Sequence, residues 1–465
     1  MIAGGGPGGV VLGYLLARAG VAVTLLESRG DFDRRFRGDS LAPAVLDHLD
    51  RLGLAEPLLA ETPHVQASAF VWSTPEKRYV LADYRDTSAK FPFYALVPQA
   101  RFLPWMVERA KSYGLDARMG ARVTELLRDD EGRVVGVGYT QDGARHRLRA
   151  DLVVGSDGRN SKVRQLSSLT ATELNSSIDI AWIELPRRDG DPPLSGLELM
   201  SERGHNLAFL GQGGGWQVGF TIPSDTFGEL REAGVEPLRA VLRRRAPWLG
   251  DRVDLLTDTN QLTLLPIRIT KLDRWSEPGL LLIGDAAHVI SPVGGNGINF
   301  AIVDAAEAAN RLVGPLTAAP VDPAAVDAAT AEVERVRRPR VDREQAFQVR
   351  VERSTGKRLA TGRDLRPALP LRLIAAVPRL ARWSARRGAR ARPAHPGGQH
   401  PRALTPGRHP ESAPLRPLRT LSATAHPVDG VRSAPWGCEV GPGRRAVRGA
   451  RCGRSGQRAG ITDRP

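Results

Sequence analysis

Cysteine is missing from the first 437 positions of this 465-residue chain; its two occurrences, Cys438 and Cys452, stand near the C-terminus. The body therefore holds no thiol for a disulfide, a zinc cage or a nucleophile, and it suits a reducing compartment. Long apolar runs are missing as well, since none reaches the roughly 18–20 residues of a membrane span. The opening segment MIAGGGPGGVVLGYLLARAG puts glycines where an export signal would put its basic charge, so the sequence reads as cytoplasmic. Net charge is nearly absent over most of the length. Residues 381–465 carry 17 Arg, no Lys and 4 acidic residues, which accounts for +13 of the total +15 and leaves 49 basic against 47 acidic residues in 1–380. No specific nucleic-acid partner is expected from so neutral a body. Aromatic residues make up only 5%, yet 41% of the chain is hydrophobic in short recurring runs such as VAVTLLE and LLLIG. That excludes a collagen-like, coiled-coil or wholly disordered protein.

What is present begins with one βαβ unit: MIA, GGGPGG, VVLGYLLARAG and VAVTLLE read as strand, turn, helix and strand. The first strand is shorter than a mean strand and reads as one whose start lies upstream. Residues 41–54 and the segment FLPWMVERAKSYG read as amphipathic helices. Between them, and again over 172–270, SAFVWS, RYVLADY, SIDIAWIELP, NLAFLG and GWQVGFTIP alternate apolar and polar residues, as an antiparallel sheet with one wet face does. We read these strands as a second domain inserted into the first in two pieces. GLLLIGDAAH returns as a buried strand and polar turn, and INFAIVDAAEAANRLVG as an alanine-rich helix. Residues 323–355 follow as a charged helix and 370–384 as a proline-interrupted apolar one. From about 385 the sequence turns to Arg, Pro, Gly, Ala, His and Ser, with too little contiguous apolar surface to build a core.

Three motifs carry chemistry. Gly4-x-Gly6-x-x-Gly9 lies between a strand and a helix, with Glu27 ending the next strand. The glycines allow a tight turn, backbone approach to a pyrophosphate and close helix packing, and the acid accepts from ribose hydroxyls. The second, ADLVVGSDGRNSKVR, delivers Asp157 and Gly158 to a turn; by itself this is also an ordinary strand-to-helix connection. The third is Gly284-Asp285-Ala286-Ala287-His288, followed by a second glycine cluster from Pro292 to Asn299. Its carboxylate suits a sugar hydroxyl, and its turn suits an electron-rich ring or phosphate. His288 reads as a structural histidine in preference to an acid–base residue.

In this order the motifs resemble the para-hydroxybenzoate hydroxylase-like FAD-dependent monooxygenases, the single-component flavoprotein aromatic hydroxylases, over roughly residues 1–384. The resemblance implies an α/β fold: a Rossmann-like FAD-binding domain of the glutathione reductase type with an inserted, mostly antiparallel β-sheet substrate domain. By the same resemblance, 1–70, 96–171 and 271–355 form the FAD-binding domain and 71–95 with 172–270 the substrate domain. A C-terminal helical segment at 356–384 and a disordered basic tail at 385–465 complete the chain. Gly4, Gly6, Gly9 and Glu27 are implied to hold the ADP half of FAD, and Asp285 its ribityl or pyrophosphate region. Pro292, Gly295, Gly297, Ile298 and Asn299 are implied to line the isoalloxazine, and Asp157 and Gly158 to serve both FAD and the nicotinamide cofactor. Arg37 falls where the family sets an Arg against the flavin nucleotide; Gln99, with Arg101 as the alternative, falls near the ribityl chain.

The activity so implied is hydroxylation of an aromatic or polycyclic small molecule with NADPH or NADH as transient co-substrate and O2, by way of a flavin hydroperoxide. Trp182, Phe209, Trp216 and Phe220 are the candidate walls of the substrate pocket, with core packing as their other reading. A flavin-dependent halogenase or an FAD-dependent reductase of isoprenoid double bonds are the alternative enzymes. The sequence also admits an inactive FAD-fold relic with a nucleic-acid-binding basic tail, because the tail reads as translation of GC-rich DNA in a shifted frame.

Overall fold

The first helix shows how composition sets position. Helix α1 (Pro7–Arg18) has Pro7 in its first turn, where the missing N–H is not needed, and its residues from Gly8 to Ala17 are all buried. A helix that is apolar all round belongs in a core, and α1 sits against the parallel sheet. The other helices that matter here are α2 (Gln99–Lys111), α3 (Glu236–Arg245), α4 (Gly297–Thr317) and the long α5 (Pro323–Ala360).

This computed structural model describes residues 1–383 apart from 33–38, 86–88, 175, 193–195, 203, 213–214, 293–294, 363–366, 368 and 378. Arg37 and the tail at 385–465 lie outside the described residues. The described residues fall within one unit, Met1–Thr405.

A six-stranded sheet runs in the order Ser276–Glu277, Leu280–Leu282, Val153–Gly155, Ile2–Ala3, Thr24–Leu26 and Asp116–Arg118. All neighbours are parallel except the first pair. Ile2 pairs with both Val154 and Leu25, so the two segments that end in Asp157 and Glu27 flank the first strand in register. A seven-stranded sheet gathers Ala69–Ser73 and Arg78–Asp83 beside the later strands Ile178–Pro186, Gly196–Glu202, His205–Gln212, Gly215–Pro223 and Thr263–Leu265. Its neighbours are antiparallel except Gly196–Glu202 with Ala69–Ser73.

Some elements differ from the sequence reading. The helix expected over 41–54 contracts to Pro43–Arg51, because Ser40–Leu41 is drawn into a small sheet with Tyr94–Leu96. Residues 122–149 form an antiparallel meander where no strands were expected. Its hairpin turn, Asp142-Gly143 with positive φ at both positions, is of the kind that type I′ turns select. Helix α3 covers one face of the large sheet through Leu238, Val241 and Leu242.

Helices α4 and α5 are joined by a buried charge cluster. Asp304 of α4, fully buried, accepts from the Gly284 amide at 3.0 Å, from Arg337 Nε of α5 at 2.7 Å, and pairs with His288 Nε2 at 2.6 Å. Burial pushes this carboxyl up, but His288 and Arg337 outweigh it and hold it at about 2. Replacing Asp304 by Asn leaves the buried Arg337 cation without a counter-charge. Urea unfolding should then show a loss of about 3–5 kcal/mol, most of it recovered when Arg337→Met is added.

Candidate active site

Three turns meet at the C-terminal ends of adjacent parallel strands, where ligands bind in open α/β sheets. The first is the glycine turn. Gly4 has φ +103°, and a Cβ there would lie 2.5 Å from the Asp157 Cα; one on Gly9 would lie 2.1 Å from the Gly4 carbonyl oxygen. Only glycine lets these backbones approach so closely. Gly6 is the N-cap of α1 and no side chain caps that helix or places a carboxylate in its first turn. Its amides are therefore open to an anion, and Gly5 N–H donates to Glu27 Oε2 at 2.8 Å. Glu27 is 3% exposed at the end of its strand.

The second turn is braced on the first. Ser156 donates to the Gly4 carbonyl at 2.8 Å, and Gly158 adopts φ +87°. The Asp157 carboxylate accepts from Ser161 Oγ at 2.5 Å and from the amides of Lys162 and Val163 at 2.7 and 3.0 Å. Those bonds cap the short helix Lys162–Leu166.

The third turn carries Asp285, about one-third exposed, with Arg159 Nε 3.4 Å from its Oδ2. Arg164 crosses to the same turn, donating to the Ala286 carbonyl at 2.8 Å. Burial lowers the Arg164 pKa, against the pull of Asp157 and Asp285. Arg159 and Arg164 thus set positive charge beside the Asp285 turn. His288 is 2% exposed, tilted against Trp275 with ring centroids 4.7 Å apart and paired with Asp304, so it is structural.

The glycine loop after Pro292 enters α4. Gly295, at φ +65°, donates its amide to the Pro292 carbonyl at 2.9 Å, and its carbonyl accepts from Ser40 Oγ at 2.8 Å. The side chain of Asn299 is spent on the neighbouring strand, accepting from Ala42 N–H and donating to the Ser40 carbonyl, both at 2.8 Å. Gly297 opens α4 and Ile298 is buried behind it; that helix also has no capping side chain and no first-turn acid. Gly8 of α1 packs on Ala301 of α4, where an added Cβ would lie 3.3 Å from the Ala301 carbonyl oxygen. Two open helix N-termini, a buried ribose-type acceptor and a sugar-type acid meet in one place, a donor set that fits FAD.

Gln99, buried, opens α2 and donates its amide to Asp39 Oδ1 at 3.1 Å. The four aromatic candidates divide between two faces of the large sheet. Phe209, Trp216 and Phe220 lie in one cluster with Leu238, Val241 and Leu242 of α3. Trp182 lies on the other face with Ile180, Ile267 and Leu359, the last from α5. Alternation along a strand makes this division obligatory, because Trp182 neighbours Ala181 and Ile183 of the α3-facing set. Gly219, opposite Trp182, leaves room for its ring.

Sequence reasoning missed Ser40, Ser156, Asp304 and Gln348. Asp304 had a signal, an acid inside the alanine-rich run INFAIVDAAEAAN. Ser156 and Ser40 had none, since serines beside turns are common.

Gly9→Ala should yield protein that purifies without visible colour and binds added FAD at least about tenfold more weakly in a fluorescence titration, a loss of about 1.4 kcal/mol or more. A second prediction concerns Asp39, whose carboxyl burial pushes up to about 7 against the lowering effect of the Gln99 amide. The folded state keeps this proton after the unfolded chain has released it near pH 4, so Asp39 should make the protein lose stability as pH rises from about 4 to about 7. Urea unfolding at about pH 5 and about pH 7.5 should show this component in the wild type and not in Asp39→Asn.

Residues 1–344 match the family described as "FAD binding domain". The chain is 32% identical over 366 residues to 6-methylpretetramide 4-monooxygenase of Streptomyces rimosus, covering 77% of this chain and 84% of that protein. It is 26% identical over 322 residues to 12-dehydrotetracycline 5-monooxygenase/anhydrotetracycline 6-monooxygenase of Streptomyces rimosus subsp. rimosus, covering 66% of this chain and 60% of that one. Among solved structures, the fold matches PqsL, a probable FAD-dependent monooxygenase from Pseudomonas aeruginosa, with a TM-score of 0.64 at 23% identity over 78% of this chain and 98% of that one. Among the described residues no helix is long and apolar enough to cross a membrane. With the donor set for a dinucleotide and these likenesses together, the chain belongs to the family of FAD-dependent aromatic monooxygenases.

Proposed function

We propose that this chain hydroxylates a polycyclic phenol of the polyketide type, with NADPH or NADH as electron donor and O2 as oxygen source. The observation that carries this reading is the convergence of the Gly4–Gly9, Ser156–Gly158 and Gly284–Asp285 turns at one sheet end. The substrate class is drawn from the relative named 6-methylpretetramide 4-monooxygenase. We read the parallel-sheet half as the Rossmann-like FAD-binding domain and the seven-stranded sheet as the substrate domain, with 385–465 as the basic tail.

When bound, FAD supplies the acceptance of electrons from NAD(P)H and the activation of O2. The protein's own part is to bind, orient and exclude water. Gly4, Gly6 and Gly9 present the α1 amides to the diphosphate, and Glu27 takes the ribose. Arg37 joins them on the nucleotide, while Gln99 and Asp285 take the ribityl side. Asp157 and Gly158 shape the turn that both cofactors meet. The amides from Asn296 to Ile298, with Pro292 and Gly295 before them, face the ring and favour negative charge on its pyrimidine edge, a preorganised electrostatic role. Asn299 acts on this loop through Ser40.

The substrate wall belongs to the Trp182 face of the large sheet. There the Trp182 indole Nε1 is buried and has no hydrogen-bond partner among the described residues. A phenol or quinone oxygen of the substrate would satisfy it. Phe209, Trp216 and Phe220 support that wall from behind.

The purified chain should be yellow, release FAD on denaturation, oxidise NADPH faster with a phenolic polyketide present, and place label from 18O2 in the product. Colourless protein that takes up no added FAD would defeat this reading. In the same assay Trp182→Phe should raise KM by about tenfold with kcat little changed, as loss of a binding interaction does. Phe209→Leu should lower stability and leave KM alone.

A further inference from the structure

The segment from His288 to Asn296 joins the Asp285 turn to α4 and carries the glycine loop. On one side it pairs as a short antiparallel strand, Val289 opposite Thr270 and His288 opposite Lys271. On its other side stands a helix, which cannot offer a strand's hydrogen bonds from its own backbone. Side chains of α5 supply them instead. Gln345 Nε2 donates to the carbonyls of Val289 and Thr270 at 2.9 and 2.8 Å. One helical turn later Gln348 Oε1 accepts from Ser291 N–H at 2.8 Å, and its Nε2 donates to the Ser291 carbonyl at 3.3 Å. Gln348 thus treats Ser291 as a neighbouring strand would, satisfying both backbone groups with one amide.

The same amide reaches further. Gln348 Nε2 lies 3.1 Å from Glu344 Oε1, and burial raises the Glu344 pKa against the lowering effect of the side chain of Asn296, the N-cap of α4. Ser291 and Asn296 are the two ends of the glycine loop. The first is bonded to Gln348, and the second acts on Glu344, one helical turn away on the same helix. Gln345 and Gln348 are each 1% exposed in a helix rich in exposed charge, and Arg337 and Val341 extend the same buried stripe at helical spacing. A core needing only apolar contact would have no use for buried amides there; Gln348 uses both ends of its amide, whereas Gln345 uses only its Nε2 and its Oε1 has no partner among the described residues.

We propose that Gln348, with Glu344, is a positioning residue for the flavin ring, holding Ser291 at the entry to the glycine loop and so setting the approach of the Asn296–Ile298 amides to the ring edge. This rests on the reading of that loop as the ring contact. Gln345 serves as the internal comparison, because it is equally buried and braces the same segment but is bonded upstream of the loop.

The test titrates FAD into apoprotein made from full-length wild type, Gln348→Leu, Gln348→Glu and Gln345→Leu, and records the bound-flavin spectrum and reduction potential beside urea unfolding. Gln348→Leu should raise the FAD Kd by about tenfold or more and shift the flavin bands and potential. Gln348→Glu keeps the acceptor for Ser291 N–H but loses the donor, and should fall between that variant and wild type. Gln345→Leu should lose comparable stability while its Kd stays within about threefold of wild type and its spectrum is unchanged. The inference is overturned if Gln348→Leu binds FAD as wild type does, or if Gln345→Leu perturbs the flavin equally. If Gln348→Leu does not fold, Gln348→Glu decides: a Kd raised by about threefold or more supports the inference, and a wild-type Kd and spectrum overturn it. A wild type that takes up no FAD overturns the site reading together with this inference, which separates that failure from the others.

Discussion

The carboxylate of Asp304 is the point on which the site depends. It is fully buried and bonded to three different parts of the chain: the Gly284 amide at the Asp285 turn, His288 at the start of the following segment, and Arg337 on α5. A buried charge of this kind is tolerated only when every partner is present, so the geometry of turn, segment and two helices is fixed jointly. Asp285, the glycine loop and the N-terminus of α4 inherit their positions from it. No functional group in this half of the site is placed by its local sequence alone.

The other half depends on missing side chains. Gly4 and Gly9 let the first turn lie against Ser156 and Asp157, and Gly8 lets α1 approach Ala301 of α4. Two helix N-termini without capping side chains are thereby brought into one region. Each is a weak anion site by itself, and we read their convergence beside a buried acid as the dinucleotide cradle. The polar stripe of α5 completes the arrangement, taking the place of a strand along Val289–Ser291.

The large sheet divides its work by face. One face, with Phe209, Trp216 and Phe220, is consumed by α3, and the other carries Trp182, whose indole N–H has no partner among the described residues. Reading aromatic residues as pocket walls from sequence treated them as equivalent. They are not, because strand period assigns neighbours to opposite faces, and only packing decides which face looks toward the cofactor.

The sequence by itself determined the parts whose chemistry is local. Gly4, Gly6, Gly9 and Glu27 announce a dinucleotide turn because a tight turn, an open helix end and a strand-terminal acid occupy fixed spacings along one stretch of chain. The Gly284-Asp285 turn and the loop to Asn299 were readable for the same reason, and so was the order of strands and helices around them. Only the tertiary structure decided that Asn299 spends its amide on Ser40, that His288 and Arg337 share Asp304, and that Gln348 braces Ser291. Those partners lie tens to hundreds of residues apart or on a helix with no distinctive pattern. Their pairing follows from burial, which drives most polar groups to find a partner wherever the fold happens to bring one.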